Sequence, residues 1–395
     1  MSLHSRVLWS GGACGAVLLP FAAPWLSPVY GLAVLALAVL FTGILRFRLT
    51  DTLLFVAFLL WEIITVPSGI GAPLGWSDVV RILPVGVMGL LLSNVGIERG
   101  RAVQRQWSET FAWAVVVSWS IIFVSSIAQF GWVNYKSFDL GGRLGIHFQS
   151  LYLIFAALIL ERKVWGPPRR AAWIRAAAVL WLLFGVVVLS ARIHLILVPL
   201  LIMGRFAELI WTQKAYRRKL SLVAGAVLVI MGTLVAVLPG PRGRLVDLRN
   251  ELRSVEQKVD GKQTNHRVFL WKYGVELALE EPWKGHGNGQ TEDLLNEKLQ
   301  DCEATFYRGE EPYFLHEFRY DVHNIWLQSW IEGGVLGVLL LGVMLGWGIY
   351  HSWGAVRYGW VLFALSGTTE SLLEKQAGVF ILVFLVALTL VARRR

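Results

Sequence analysis

Arg319-Tyr320-Asp321-Val322-His323-Asn324-Ile325-Trp326-Leu327-Gln328-Ser329-Trp330-Ile331-Glu332-Gly333-Gly334-Val335-Leu336-Gly337 is the stretch from which the rest of the chain is read. It closes a long polar segment, 240–322, and opens an apolar run that continues far enough to cross a bilayer, for which about 20 residues are needed. His323 therefore falls at a membrane–water boundary, where an imidazole can change charge near neutral pH.

The composition agrees with a membrane setting. Mean hydropathy is +0.56, and 55% of the 395 residues are hydrophobic, with 19 Trp. No single core could bury that much apolar surface, so an ordinary soluble globule is excluded. The fold class predicted is an all-α polytopic membrane protein. The formal net charge of +10 does not point to nucleic acid, because the basic residues fall in short loops between apolar runs, where they act as topology signals. The lipid bilayer is the partner that this distribution implies. Cys14 and Cys302 fall at opposite ends of the bilayer in this reading, which argues against a structural disulfide between them. The first apolar run follows Arg6 like a secretory signal, but apolar character resumes after Pro28 without a cleavage site. It is read as a retained helix.

A ruler of about 20 apolar residues gives about 12 transmembrane helices. They lie near 7–26, 29–46, 52–67, 79–96, 110–131, 145–161, 173–191, 193–211, 220–239, 324–350, 354–369 and 377–392. Three regions follow: a bundle over 1–239 with about nine helices, a loop domain over 240–322, and about three further helices over 323–395. Arg46, Arg48, Arg99, Arg101, Arg105, Arg162, Lys163, Arg169, Arg170, Arg175, Lys214, Arg217, Arg218, Lys219, Arg357 and Arg393 to Arg395 occupy one set of alternate connections. The opposite connections hold few cations, among them Lys136, Arg143, Arg192 and Lys375. The basic side is cytoplasmic by the positive-inside rule, so both termini lie inside and 240–323 lies outside.

Leu245, Leu248, Leu252, Val255 and Val259 recur at helical spacing among charges and predict an amphipathic helix. A second helix runs from about His266 to Glu281 before Pro282, and Thr291 with Glu292 and Asp293 starts a third. A helical cap over the outer mouth results. The pairs Gly11 and Gly15, Gly333 and Gly337, and Gly342 and Gly346 have the small-xxx-small spacing of close helix packing.

Arg192 sits in Leu189-Ser190-Ala191-Arg192-Ile193-His194, between two spans with no polar loop. A guanidinium near hydrocarbon costs about 2.5–3.5 kcal/mol at a helix centre, so it either pairs or snorkels, or it serves as an anion site at a helix break. Arg81 has the same two readings, with Asp78 as its local partner. Arg267 opens the second outer helix. Gly285, Gly287 and Gly289 permit positive φ or close backbone approach to a ligand, but no strand precedes them, so this is not a dinucleotide fingerprint. His316, Arg319 and His323 are spaced to share one helical face, with Glu303, Glu317 and Asp321 near; no metal-binding motif accompanies them. Glu332 and Glu370 fall in or beside apolar runs, where an ionised carboxylate demands a partner.

Taken together, Leu189-Ser190-Ala191-Arg192, Arg267 with Trp271, Pro282 with Gly285, Gly287 and Gly289, His323-Asn324-Ile325-Trp326-Leu327-Gln328 with Glu332-Gly333, and Glu370-Ser371-Leu372-Leu373-Glu374 resemble the O-antigen ligase and O-antigen polymerase superfamily of membrane glycosyltransferases. The resemblance covers roughly the second half of the chain. It implies a GT-C-like bundle in a bacterial inner membrane with its active site at the periplasmic face. It also implies a metal-independent, inverting transfer of a glycan from undecaprenyl diphosphate, without cofactor, to a lipid A-core acceptor in the ligases. Arg192 and Arg267 match the family's phosphate-binding arginines and His323 its catalytic histidine. Arg319 and Arg143 are further outer-side cations without a secure family counterpart, and Asn324, Glu332, Glu370, Arg81 and Gly287 are expected to support the site. A polymerase would use a second lipid-linked glycan as acceptor, and a protein O-oligosaccharyltransferase a hydroxyl amino acid. A secondary transporter would also suit about twelve spans with embedded charges, but no inverted repeat is detectable.

Overall fold

A computed structural model describes residues 49–67, 72–94, 100–131, 145–161, 170–212, 217–256, 262–263, 266–300, 305–308, 311–317 and 319–392. The spans expected near 7–26 and 29–46, together with Cys14, Lys136, Arg143, Cys302 and Glu303, lie outside these residues. Every other expected span is met by a helix. The bundle begins with α1 (Leu49–Ile64), α2 (Ala72–Ser93), α3 (Gly100–Phe130), α4 (Ile146–Glu161), α5 (Arg170–Leu189), α6 (Arg192–Thr212) and α7 (Arg217–Val237). The polar segment follows with α8 (Pro239–Glu256), β1 (Lys262–Gln263), α9 (His266–Glu280), α10 (Thr291–Gln300), β2 (Thr305–Arg308) and β3 (Glu311–Tyr313). The chain returns to the bundle as α11 (Ile325–His351), α12 (Ala355–Ser366) and α13 (Gln376–Ala392).

By length and composition, 6 of these helices can cross a membrane: α2, α3, α5, α6, α7 and α11. The protein is thus a polytopic helical membrane protein. Its core is apolar on all sides of α13, which is buried along almost its whole length and forms the centre of the bundle. Phe111 of α3 is fully buried there, with ring centroids 6.0, 5.6 and 4.9 Å from Tyr152, Phe155 and Phe384. Trp173 and Trp211, 74% and 84% exposed, stand near helix ends as interfacial tryptophans do.

The polar segment is mainly helical, as expected, but it also carries a small sheet of order β1-β2-β3, with β1 parallel and β3 antiparallel to β2. The β-branched and aromatic Thr305, Phe306 and Tyr307 favour the strand, and Pro312 sits at its edge. Helix α8 confirms a helix over much of the predicted amphipathic stretch. Leu270, Leu277, Leu295, Leu299, Leu315 and Val322 form a second core that continues into Leu327 and Ile331 of α11. The polar segment is thereby anchored on the first turns of α11.

Helix α11 is broken at Gly334, whose φ of 63° and ψ of −165° suit glycine alone. The freed backbone groups are satisfied by the glycine-rich turn. His286 and Gly287 donate N–H bonds of 2.7 and 2.9 Å to the carbonyls of Ile331 and Glu332, and Val335 donates to Pro282 at 2.8 Å. Gly285, Gly287 and Gly289 all have positive φ. The turn closes on protein backbone, which is the way irregular backbone is tolerated in a membrane protein. A Cβ on Gly334 would strike the Trp283 carbonyl, whereas one on Gly346 meets nothing within 4 Å. Gly334→Ala is expected to destabilise the protein by about 1–3 kcal/mol or more. Thermal unfolding in detergent checks this, with Gly346→Ala expected to melt like wild type.

Of the small-xxx-small pairs, Gly333 and Gly337 do let Trp61 approach closely, but Gly346 faces open space and Gly342 only the distant edge of Trp326. Gly11 and Gly15 lie outside the described residues.

Candidate functional site

The site forms where three chain breaks meet at one end of the bundle. The first is the junction of α5 and α6. Ser190 has φ of 54° and is buried, with its hydroxyl turned back to the carbonyls of Val187 and Val188 at 3.0 and 3.1 Å. This reversal needs no polar loop, and it starts α6 at Arg192. The anticipated helix break is therefore present, and Arg192 lies close enough for its charge to act on His266.

The second break is the start of α11. Asn324 caps this helix, its side-chain oxygen accepting N–H bonds from Trp326 and Leu327 at 2.9 and 3.1 Å. The preceding residue, His323, has φ of 47°, in the left-handed region. Asp321 holds it there by accepting its backbone N–H at 2.7 Å, an Asx turn. Because the helix begins only at Ile325, residues 319–324 are not helical, and His316, Arg319 and His323 do not share a helical face. Arg319 instead forms a surface pair with Asp293 at 2.8 Å and is not brought to the histidine.

The third break follows α12. That helix ends at Ser366, and its Gly367 carbonyl accepts the Ile325 N–H at 2.8 Å, which ties the two breaks together. Thr369 and Glu370 come next. Arg267, in the first turn of α9, donates to the Thr369 carbonyl and to Glu370 Oε1, both at 2.8 Å. Glu370 Oε1 also lies 3.1 Å from His147 Nε2, and its Oε2 lies 3.6 Å from His323 Nδ1. One carboxylate thus bridges a guanidinium and two imidazoles.

Asp321 completes the arrangement. Its Oδ1 is 3.0 Å from His323 Nδ1 and accepts from the Ser371 hydroxyl at 3.2 Å, and its Oδ2 is 4.0 Å from Lys375 Nζ. The Nδ1 contact is off the N–H direction, so it acts as an ion pair more than as an aligned hydrogen bond.

These neighbours set the protonation states. Burial works against a charged His323, but the Asp321 and Glu370 carboxylates outweigh it and hold the imidazole at about 9. Burial would raise Glu370, yet His323, His147 and Arg267 together bring it down to about 2. Asp321 is lowered in the same way by His323 and Lys375 against its own burial. His266 goes the other way, down to about 4, through burial first and then the charges of Arg267, His323 and Arg192. Around neutral pH the site therefore pairs a cationic His323, Arg267 and Arg192 with two carboxylates, and the surplus is positive. Such a cationic cluster suits a diphosphate group.

The remaining residues separate from it. Glu332 accepts from Thr291 at 2.8 Å and from Gln328 at 3.3 Å in a different cavity. Arg81 pairs with Asp78 and with Glu374 in that same cavity, as the local ion-pair reading foresaw for Asp78. Gly287 is part of the turn on the α11 break, and Arg143 lies outside the described residues. Sequence reasoning left out His147 and Arg244, which acts electrostatically on His147. The one signal for His147 is a polar side chain in the first turn of an otherwise apolar helix.

A polytopic membrane bundle with a cationic cluster at one end is the class defined by this fold and site. Residues 177–342 match a family model described as O-antigen ligase, from within α5 through the first two thirds of α11. The match takes in Arg192, Arg267 and His323, and it supports the O-antigen ligase and polymerase superfamily, with ligase- or polymerase-type glycosyl transfer as the general activity. No curated protein matches the chain.

Proposed function

We propose that this protein is an O-antigen ligase of the bacterial inner membrane, transferring a glycan from undecaprenyl diphosphate to a hydroxyl of lipid A-core oligosaccharide at the periplasmic face. The distribution of Lys and Arg in the loops supports that orientation, with both termini cytoplasmic. The observation that carries the reading is the Glu370 bridge between Arg267 and His323, beside the helix break that presents Arg192.

In the proposed reaction the acceptor oxygen attacks the anomeric carbon as the bond to the diphosphate oxygen breaks. The leaving undecaprenyl diphosphate takes the electron pair, and Arg192 and Arg267 stabilise its charge without a metal. In its neutral form His323 accepts the hydroxyl proton through Nε2, while Asp321 and Glu370 orient the ring from the Nδ1 side. In-line displacement inverts the anomeric centre.

The acceptor decides between ligase and polymerase. Purified protein is incubated with a polyprenyl-diphosphate glycan, with and without lipid A core. A slower-migrating glycolipid that forms only when core is present is the expected result. Elongation of the donor alone would make the protein a polymerase.

A further inference from the structure

We propose that the cavity beside the transfer site binds one hard divalent cation of calcium size on carboxylate and amide oxygens. The cavity lies between α1, α2, the first turns of α11 and the turn at 372–374, and has internal room of about 40 Å³, suited to an ion and not to a sugar ring. Asp78, Glu332 and Glu374 each offer an oxygen to it, and the three oxygens lie within 4.8 Å of one another. Ligand oxygens stand about 2.3–2.6 Å from Ca²⁺, so oxygens within 4.8 Å of one another can share one ion, and Ca²⁺ accepts an irregular oxygen cage where Mg²⁺ demands near-ideal octahedral geometry and keeps several waters.

The charge balance points the same way. Glu62 lines this cavity too, held by Asn288 at 2.9 Å, so four carboxylates are present. Arg81, which pairs with Asp78 and Glu374, is the only cationic side chain among the described lining residues. Buried carboxylates in such excess call for a counter-cation.

A second observation concerns an amide oxygen and not a carboxylate. Gln328 is only 6% exposed and lines the cavity, and its Oε1 has no hydrogen-bond partner. Its Nε2 donates to both Glu332 and Glu374, so the amide cannot be reversed without setting its oxygen against two carboxylates. The carbonyl oxygen is left for a ligand that accepts electron pairs. All the donors are oxygens, which selects a hard ion over a soft one.

Such an ion is structural. It joins α2 and α11 to the turn that begins with Glu370 and Ser371, and so braces the residues that hold Arg267, Asp321 and His323. The inference does not rest on the ligase reading, because binding is measured without any transfer substrate.

The test uses chelator-stripped full-length protein in nanodiscs at pH 7.5, with Ca²⁺ binding followed by equilibrium dialysis and by thermal unfolding against Mg²⁺ and NaCl at matched ionic strength. Expected are one Ca²⁺ per chain and a melting temperature several degrees higher with Ca²⁺ than with either control. Glu332→Gln and Gln328→Leu should each weaken binding at least tenfold; should Glu332→Gln fail to fold, Gln328→Leu still decides. Absence of Ca²⁺ binding at millimolar concentration in folded wild type would overturn the proposal in favour of protonated carboxyls. Wild-type affinity in both variants would overturn it equally.

Discussion

His323→Ala is expected to lower the transfer rate by about 10²–10⁴-fold while leaving the protein folded, the range that loss of a positioned general base produces. The side chain contributes no core packing, since its imidazole is a quarter exposed and its partners are polar. The pH dependence separates a base from a mere ion-pair partner. With the pKa at about 9, only about 1% of His323 is neutral at pH 7, and the rate should rise about tenfold per pH unit until pH 9 is approached. Asp321→Asn removes a carboxylate that raises this pKa, so the rising limb should move to lower pH. A rate that falls as pH increases from 6 to 9 would sink the base assignment and leave His323 as a fixed cation. The raised pKa also has a sign for stability. The ion pair contributes fully below pH 6.5 and its contribution is lost as pH climbs through about 9. In His323→Ala, melting temperature should depend less on pH over that interval.

Arg267→Ala should cost about 10²–10³ in kcat, as expected when one preorganised charge is withdrawn from a developing anion. Two effects combine. The leaving diphosphate loses a cation, and Glu370 loses the partner that holds Oε1, so its negative charge bears more strongly on His323. Arg267→Lys should not rescue, because an ammonium cannot reach the Thr369 carbonyl and Glu370 with the same planar fork. Glu370→Gln separates the two effects. It keeps the Arg267 guanidinium on the Thr369 carbonyl, removes a charge from the Nδ1 side of His323, and should move the pH limb downward with a smaller loss of rate than Arg267→Ala. Equal binding of a polyprenyl-diphosphate analogue by wild type and Arg267→Ala would remove Arg267 from the diphosphate site.

Embedded charge made much of the site legible. Arg192 and Glu370 stand in or beside apolar runs, where an ionised group needs a partner, and His323 stands at the membrane boundary, whereas Arg267, in the polar segment, is marked by the family resemblance. His323, Arg267 and Glu370 meet in one cluster, with Arg192 near enough to act on His266. Which partner each takes was not legible, because Glu370 meets Arg267 across 103 residues of chain. Arg319 illustrates the converse error: helical spacing placed it beside His323, but the Asn324 cap starts the helix at Ile325, beyond both residues, so that spacing does not apply to them. The glycine-rich turn was recognisable as backbone that approaches something closely. That the something is the broken α11 depends on Gly334, and Gly333 beside it reads in the sequence as small-residue packing and not as part of a kink. The strands escaped because runs of two to four residues have no period to detect.

The most direct test of the account is the transfer rate of wild type, His323→Ala and Arg192→Ala with a polyprenyl-diphosphate glycan and lipid A core. It is run in EDTA at a temperature where size-exclusion chromatography shows each chelated protein to be folded. The account predicts glycolipid from wild type and loss of product by two orders of magnitude or more in both variants. Product from either variant at the wild-type rate, or glycan flux into proteoliposomes without any transfer by wild type, would contradict it.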